Sequence, residues 1–389
     1  MSNSNKCRLC GNNSNSELLN FGLQPIIHHL IKDIDESYKT YPFILGVCDN
    51  CNFLSLMNPL PANLLYNKNY FTVSDWKFQP HSIRLIDLMQ QISGMNKDTK
   101  LLEIGCNDGK FLKELIDNGI NDVRGIEPTD RQDICLSKNL NVEKGFFPST
   151  SLKEKEFDLI VTRQVLEHII DLDLFISSAH IALKDEGTIV IEVPDITQNL
   201  ECLDFGLWEE HVNYFSTNTL QKLLAKHQFE IIHYERTMFS GATLTVFAQK
   251  TSNKLNIPIS YDEKNKINKF KKKYDVLKTL LHDHLNGIDD IIVYGCGARS
   301  SAFVNFFDLN MINCFVDDKK EKQNLIVPGC NLPIKPWSND FKESFCLLGV
   351  NSENEEKLLN KRFFKRNKSF SILPPSRRIP SFWRNLINN

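Results

Sequence analysis

Four cysteines fall into two C-x-x-C pairs, Cys7-Arg-Leu-Cys10 and Cys48-Asp-Asn-Cys51. Cys7, Cys10, Cys48 and Cys51 thus have the residue type and spacing of a tetrahedral thiolate cage. Four thiolates close every coordination position of a Zn2+ ion, so the expected role is structural, with no place for a reactive water. The alternative, a redox dithiol, requires one pair ahead of a helix in a βαβ setting. Downstream, Trp208-Glu-Glu210-His211-Val-Asn-Tyr214-Phe-Ser216 sets an acid beside a histidine among aromatic residues. A carboxylate in that position can orient an imidazole and hold its tautomer, which is what a general base requires. A second histidine occurs in Thr162-Arg-Gln164-Val-Leu-Glu-His168-Ile169.

These groups need a cofactor and a frame. Leu101-Leu-Glu103-Ile-Gly105-Cys-Asn107-Asp108-Gly109 reads as a buried strand entering a tight glycine turn, with Phe111, Leu112, Leu115 and Ile116 at helical spacing after it. Gly105 and Gly109 allow a ligand to lie against the turn and the helix N-terminus. The dinucleotide fingerprint G-x-G-x-x-G is not met. The pattern E-x-G-x-x-x-G resembles the S-adenosylmethionine turn of class I methyltransferases, with Asn107 and Asp108 adding contacts to the amino-acid part of the cofactor. Glu127 ends the next strand, where a carboxylate can accept both hydroxyls of a ribose. Gln164 and His168 follow a further strand and face the crevice at the carboxyl ends of the sheet.

The apolar runs Lys100 to Ile104, Val123 to Glu127, Phe157 to Thr162 and Thr188 to Val193 alternate with helical stretches. Alternation of this kind predicts an α/β fold with a doubly wound parallel sheet. Phe229 to Arg236 and Thr243 to Lys250 are joined closely enough for a hairpin. Before the sheet, an aromatic and then helical stretch from Leu64 to Asn96 caps the domain. After it, Ile267, Phe270, Tyr274, Leu277 and Leu281 mark an amphipathic linking helix whose Lys271 to Lys273 run reads as a solvated face. A second strand and glycine turn follow, Asp290-Ile-Ile-Val-Tyr-Gly295-Cys-Gly297-Ala-Arg299. Asp317 ends the next apolar strand, where it can bond a ribose hydroxyl. The basic tracts after Lys361 and Ser376 read as surface. Three units are expected: a zinc-binding segment over 1–65, a cofactor-binding domain over 66–252 and a smaller Rossmann-like domain over 253–389.

Composition narrows the function classes. Forty-six basic and 48 acidic side chains in 389 residues leave no global field for a polyanion, so nucleic acid is not an expected partner. No apolar run reaches the roughly 18 residues of a membrane span, and the N-terminus lacks a signal-type apolar core. A cytoplasmic, monomeric chain with 11 cysteines mostly as thiols is expected.

Taken together, the two C-x-x-C pairs, Leu101 to Gly109, Gly125-Ile-Glu-Pro128, Leu166-Glu-His-Ile169, Glu210-His211 with Tyr214-Phe-Ser, Tyr294-Gly-x-Gly-Ala298 and Val327-Pro-Gly-Cys-Asn-Leu-Pro-Ile334 resemble the zinc-containing sugar C-methyltransferases. The resemblance runs through nearly the whole chain. It implies methylation of carbon 3 in a nucleotide-linked 4-keto-deoxysugar. It also implies an active site at Tyr70, His168, Glu210 and His211, with His211 as the base. Pro128 joins Glu127 at the cofactor, and the C-terminal domain, through Gly295, Gly297, Arg299 and Asp317, helps to hold the sugar nucleotide. This chain departs from the family at Trp208, where a tyrosine is usual and an indole can only donate one hydrogen bond. It departs also at Thr245, in place of an arginine, and at Gly349-Val-Asn351, where tryptophan-asparagine is common. A sugar or metabolite O- or N-methyltransferase, and a noncatalytic zinc- and cofactor-binding protein, are the competing readings.

Overall fold

The computed structural model describes residues 6–65, 80–239, 241–362 and 368–389. Among them three sheets are formed. The first strands are β1 (Asn15–Pro25), β2 (Thr40–Cys48) and β3 (Leu54–Leu56), an antiparallel run that starts beside one cysteine pair and turns at the other. Next come β4 (Lys100–Ile104), β5 (Asp122–Glu127), β6 (Val142–Lys144), β7 (Phe157–Arg163) and β8 (Leu183–Pro194). The short β9 (Asn213–Tyr214) returns to pair with β3 and completes a four-stranded sheet. A hairpin of β10 (Phe229–Met238) and β11 (Ala242–Lys250) then closes the central sheet, whose order is β10-β11-β8-β7-β4-β5-β6.

The central sheet follows the expected alternation. Its middle strands are buried on both faces, as residues of a parallel sheet covered by helices must be: Leu101, Leu102, Leu159, Ile160, Val161, Ile189, Val190 and Ile191 are all within the core. β11 runs antiparallel to β8 in the register Thr243↔Pro194 through Gln249↔Thr188. Such a reversed strand beside a parallel set is the class I methyltransferase sheet. The helix after the glycine turn, Lys110–Asp117, buries Phe111, Leu112 and Leu115, but Ile116 turns outward and is 39% exposed.

The third sheet comprises β12 (Ile291–Tyr294), β13 (Cys314–Val316), β14 (Ile326–Val327), β15 (Leu332–Lys335), β16 (Phe345–Leu348) and β17 (Ser369–Ser371), in the order β14-β15-β13-β12-β16-β17. The amphipathic helix Tyr261–Leu285 leads into it, burying Ile267, Phe270, Tyr274, Leu277 and Leu281 as its spacing predicts. The zinc-binding segment does not stand alone. Phe21 of β1 lies 4.2 Å from Phe306 and 5.2 Å from Tyr274, so its sheet shares one apolar core with the C-terminal unit. The basic tracts are more tied than a surface reading implies. Arg362 donates to the Tyr294 hydroxyl (2.9 Å) and pairs with Asp318, and Arg378 donates to the Ser369 hydroxyl (3.2 Å). No helix among the described residues is long and apolar enough to cross a membrane.

Candidate active site and metal centre

The two cysteine pairs converge. Cys7 Sγ lies 3.7 Å from Cys51 Sγ, and Cys10 Sγ lies 3.6 Å from Cys48 Sγ. Zinc–sulfur bonds of about 2.3 Å make a tetrahedron with edges of about 3.8 Å, so the four thiols fit a structural zinc ion. All four donors lie within 4.8 Å of one another. Arg8, inside the first pair, carries the cage's geometry outward. Its guanidinium donates to the carbonyls of Leu56 (2.8 Å) and Val212 (2.6 Å) and to Asn213 Oδ1 (3.1 Å). Val212 is the residue after His211, so the zinc segment and the candidate base are joined by two hydrogen bonds, to Val212 and Asn213, across about two hundred residues of sequence.

At the end of β4 the chain enters left-handed backbone at Gly105 (φ 74°), Asn107 (φ 51°) and Gly109 (φ 72°). A Cβ on Gly105 would sit 2.4 Å from Val165 Cγ2, and one on Gly109 2.4 Å from Leu140 Cδ1. Only glycine fits either position. Glu127, at the end of β5, accepts the Asn107 N–H (2.8 Å) with one oxygen and the Thr129 N–H (2.9 Å) and hydroxyl (2.6 Å) with the other. It therefore holds the turn in shape while the oxygen that accepts from Asn107 retains a lone pair for a ribose hydroxyl. Glu103 is wholly buried, and that burial pushes its carboxyl up to about 8, against the lowering effect of Arg163. The turn, the carboxylates and the absence of room for side chains suit a cationic nucleoside cofactor.

We expect Gly105→Ala to cost about 1–2 kcal/mol from its left-handed φ alone, with the Val165 collision added. A fall in melting temperature and at least a tenfold loss of S-adenosylmethionine affinity by calorimetry are the expected readouts, partly restored by adding Val165→Ala. Unchanged affinity in the single variant would show that the ligand does not use this turn.

Val165 links the turn to the second cluster. The 3-10 turn Leu166–His168 sets Glu167 and His168 side by side. Glu167 Oε1 lies 4.0 Å from His168 Nε2 and 4.0 Å from His211 Nε2. His168 Nδ1 donates to the Glu210 carbonyl (2.8 Å), and its ring meets that of His211 edge to face at 4.9 Å. Trp208 packs against His211 with ring centroids 3.7 Å apart and planes tilted by 40°. The Glu210 carboxylate lies 3.2 Å from His28 Nε2, and Glu209 accepts the Ile27 N–H (2.9 Å). The loop Trp208 to His211 is thus clamped between the zinc segment and the 3-10 turn.

Burial governs the charges here. It lowers His168 to about 4 and drives His211 well below the ordinary histidine value, the latter reinforced by His168, Arg299 and His28. Burial also raises Glu167 to about 8 and Glu209 to about 7. At neutral pH the imidazoles are therefore neutral, and the His211 base form needs no activation.

The remaining sequence-derived candidates fall as follows. Gln164 sits in left-handed backbone (φ 54°) and reaches Thr243 Oγ1 at 3.4 Å. Asp108 caps the next turn, accepting the Lys110 N–H (3.2 Å), while Pro128 follows Glu127 directly. Tyr70, with its neighbours Tyr66, Phe71 and Trp76, lies outside the described residues. In the second glycine turn Asp317 accepts the Cys296 N–H (2.9 Å) and the Lys319 N–H (2.9 Å), repeating the Glu127 arrangement one domain later. Gly295 precedes Cys296, and Gly297 N–H is held by Ser300 Oγ (3.0 Å). Arg299 is buried. It donates to Asp204, the Pro374 carbonyl (3.0 Å) and Asn351 Oδ1 (3.1 Å), fastening the C-terminal unit to the loop before Trp208.

Sequence reasoning missed Glu167, His28, Arg8 and the group at the ends of β7 and β8. There Arg163 pairs with Glu192 (3.4 Å), approaches His81 Nε2 (3.0 Å) and covers the Phe111 ring at 4.3 Å. Burial alone would raise Glu192, but Arg163 and His81 outweigh it and hold the carboxyl below its usual range.

The fold and this crevice define a class I S-adenosylmethionine-dependent methyltransferase. Three family models match in succession: a zinc binding domain over residues 7–66, a methyltransferase domain over 76–234 and a C-methyltransferase C-terminal domain over 240–345. The C-methyltransferase NovU of Streptomyces niveus is 22% identical over 97% of both chains. The mitochondrial ubiquinone biosynthesis O-methyltransferase of Bos taurus is 29% identical over 36% of this chain and 40% of its own length. The chain belongs to the zinc-containing C-methyltransferases, with S-adenosylmethionine as cofactor and a structural zinc.

Proposed function

We propose that the protein methylates carbon 3 of a nucleotide-linked 4-keto-deoxysugar, with His211 removing the C3 proton. The observation that carries this reading is the cluster of buried Glu167 and His211 with half-buried His168, a neutral imidazole pair beside an acid at the carboxyl end of the sheet. A carbon next to a ketone is acidified because its conjugate base is an enolate, and a positioned imidazole can take that proton. Bound S-adenosylmethionine supplies an electrophilic methyl group for the resulting carbon nucleophile.

The residues divide the task. Gly105, Asn107, Asp108, Gly109 and Glu127 hold the cofactor, with Glu103, Pro128 and Gln164 shaping its pocket. Burial makes the imidazolium formed on His211 costly, and Glu167 at 4.0 Å offers the compensating negative charge. His168 and Glu210 fix the orientation of the trio, Trp208 walls His211 off from water, and the family resemblance assigns Tyr70 a part in the reaction. Gly295, Gly297 and Asp317 receive the nucleotide, while Arg299 keeps that domain docked. The three units are assigned to 1–65, 66–252 and 253–389.

A pH dependence follows. Raising pH from 7 to 9 takes Glu167 through its pKa of about 8, from mostly neutral to mostly ionised. If that charge offsets the imidazolium, kcat/KM rises about tenfold over the interval. His211 adds no inflection of its own near pH 6.5, because it is protonated only well below that value. The profile of Glu167→Gln should be low and flat, and a wild-type profile without the rise would remove Glu167 from the mechanism. Purified protein incubated with a panel of nucleotide-linked 4-keto sugars, read by mass for one added methyl group, tests the substrate class. Methylation confined to acceptors lacking the ketone would overturn it.

A further inference from the structure

We propose that Glu167, His168 and His211 form a second metal site, separate from the cysteine cage, for a divalent transition-metal cation whose binding withholds His211 from proton transfer. The binding half stands on geometry alone. The effect on rate rests on the reading of His211 as the base.

One donor atom from each of the three side chains lies within 4.8 Å of the others. Among the described residues, neither carboxylate oxygen of Glu167 has a hydrogen-bond partner, although the residue is only 1% exposed. A buried carboxylate left without donors is costly, and here it is aimed at two imidazoles rather than at a hydroxyl or backbone N–H. The His168 ring is already turned for ligation. Its Nδ1 bonds to the Glu210 carbonyl, which can only accept, so Nδ1 carries the proton and Nε2 presents its lone pair toward Glu167. Metal-ligating histidines are oriented by such outer hydrogen bonds.

Metal–ligand bonds of about 2.0–2.2 Å give donor–donor edges of about 3.3–3.6 Å in a tetrahedron. Each 4.0 Å separation from Glu167 Oε1 must therefore close by well under one ångström, within reach of side-chain rotation. Two nitrogens and one oxygen suit Zn2+, Co2+, Ni2+ or Fe2+, whereas Mg2+ and Ca2+ favour oxygen cages. Three protein ligands leave a coordination position open, in contrast to the cage of Cys7, Cys10, Cys48 and Cys51. Coordination uses the same Nε2 lone pair that would accept the substrate proton, so the two events exclude each other.

The test uses the full chain with its structural zinc confirmed by elemental analysis. Titration with Co2+ should give visible d–d absorption saturating at one added cobalt per chain. It should do so without the sulfur-to-cobalt charge-transfer band that replacement of the cage zinc produces. Glu167→Gln and His168→Asn should each weaken this binding at least tenfold while calorimetric affinity for S-adenosylmethionine stays within threefold. Methyl transfer by the wild type should fall in proportion to cobalt occupancy and return on chelation by a reagent too weak to remove the cage zinc. Absence of the added cobalt, or binding indifferent to both substitutions, overturns the site. Ligand-dependent binding with undiminished or increased methyl transfer leaves the site standing and overturns the role of His211 as base.

Discussion

Replacing His211 with asparagine is expected to lower kcat by about 10²–10⁴-fold, the range a positioned general base contributes. The substitution keeps a polar side chain of similar reach against Trp208, so the clamp around the loop should persist. Calorimetric affinity for S-adenosylmethionine should remain within a few fold, because Gly105, Gly109 and Glu127 lie on other elements. The contrast between lost turnover and retained cofactor binding separates a missing proton acceptor from a collapsed site. Wild-type turnover in His211→Asn would remove the histidine from the chemistry.

Removal of the zinc should have the second large effect, through structure rather than through reaction chemistry. Structural zinc contributes apparent binding energies of about 10–16 kcal/mol in small zinc domains, more than most isolated domains have in total stability. Here the cage also fixes Arg8, whose hydrogen bonds hold Val212 and Asn213 beside His211. Strand β9 pairs with β3 of the same sheet, so loss of the cage loosens the C-terminal end of the loop that carries His211. Strong chelation, or Cys48→Ser, should lower kcat at least a hundredfold and expose β1 to β3 to rapid amide exchange. The strands β4, β5 and β7 should stay protected, and S-adenosylmethionine should still bind. Full activity in protein shown to hold no zinc would contradict the structural role assigned to the cage.

The parts of this molecule that were legible in the sequence are those with a local physical signature. Strands β4, β5, β7 and β8 announce themselves as runs rich in apolar residues because their central residues are buried on both faces. The cofactor turn is legible because Gly105 and Gly109 stand where no side chain fits, and the zinc cage because ligand spacing is set within each C-x-x-C pair. Strand β1 was not legible. Its sequence, Asn-Ser-Glu-Leu-Leu-Asn-Phe-Gly-Leu-Gln-Pro, passes through two register shifts against β2 that break the alternation of a half-buried strand. Strand β6 is three residues long and carries too little pattern to detect.

The site shows the same division. His168 and His211 were found by type and neighbourhood, but Glu167 was passed over between two named residues, since only the 3-10 turn aims it at both imidazoles. Arg8 reads as filler within a cysteine pair until folding brings it to Val212. Arg299 reads as a ligand contact after a glycine turn, yet its guanidinium is committed to Asp204 and two other partners across the domain junction. Contacts of this kind depend on how sheets are stacked, which periodicity and spacing do not encode.

Exchange of the sugar's C3 proton in heavy water tests the central claim most directly. Protein, nucleotide-linked 4-keto sugar and S-adenosylhomocysteine are incubated together, so that the cofactor pocket is filled but no methyl group is available, and the C3 position is followed by proton NMR. The account predicts loss of the C3 proton signal with the wild type, and its retention with His211→Asn. A protein that transfers methyl groups to the same sugar while the C3 proton persists in the product would contradict it.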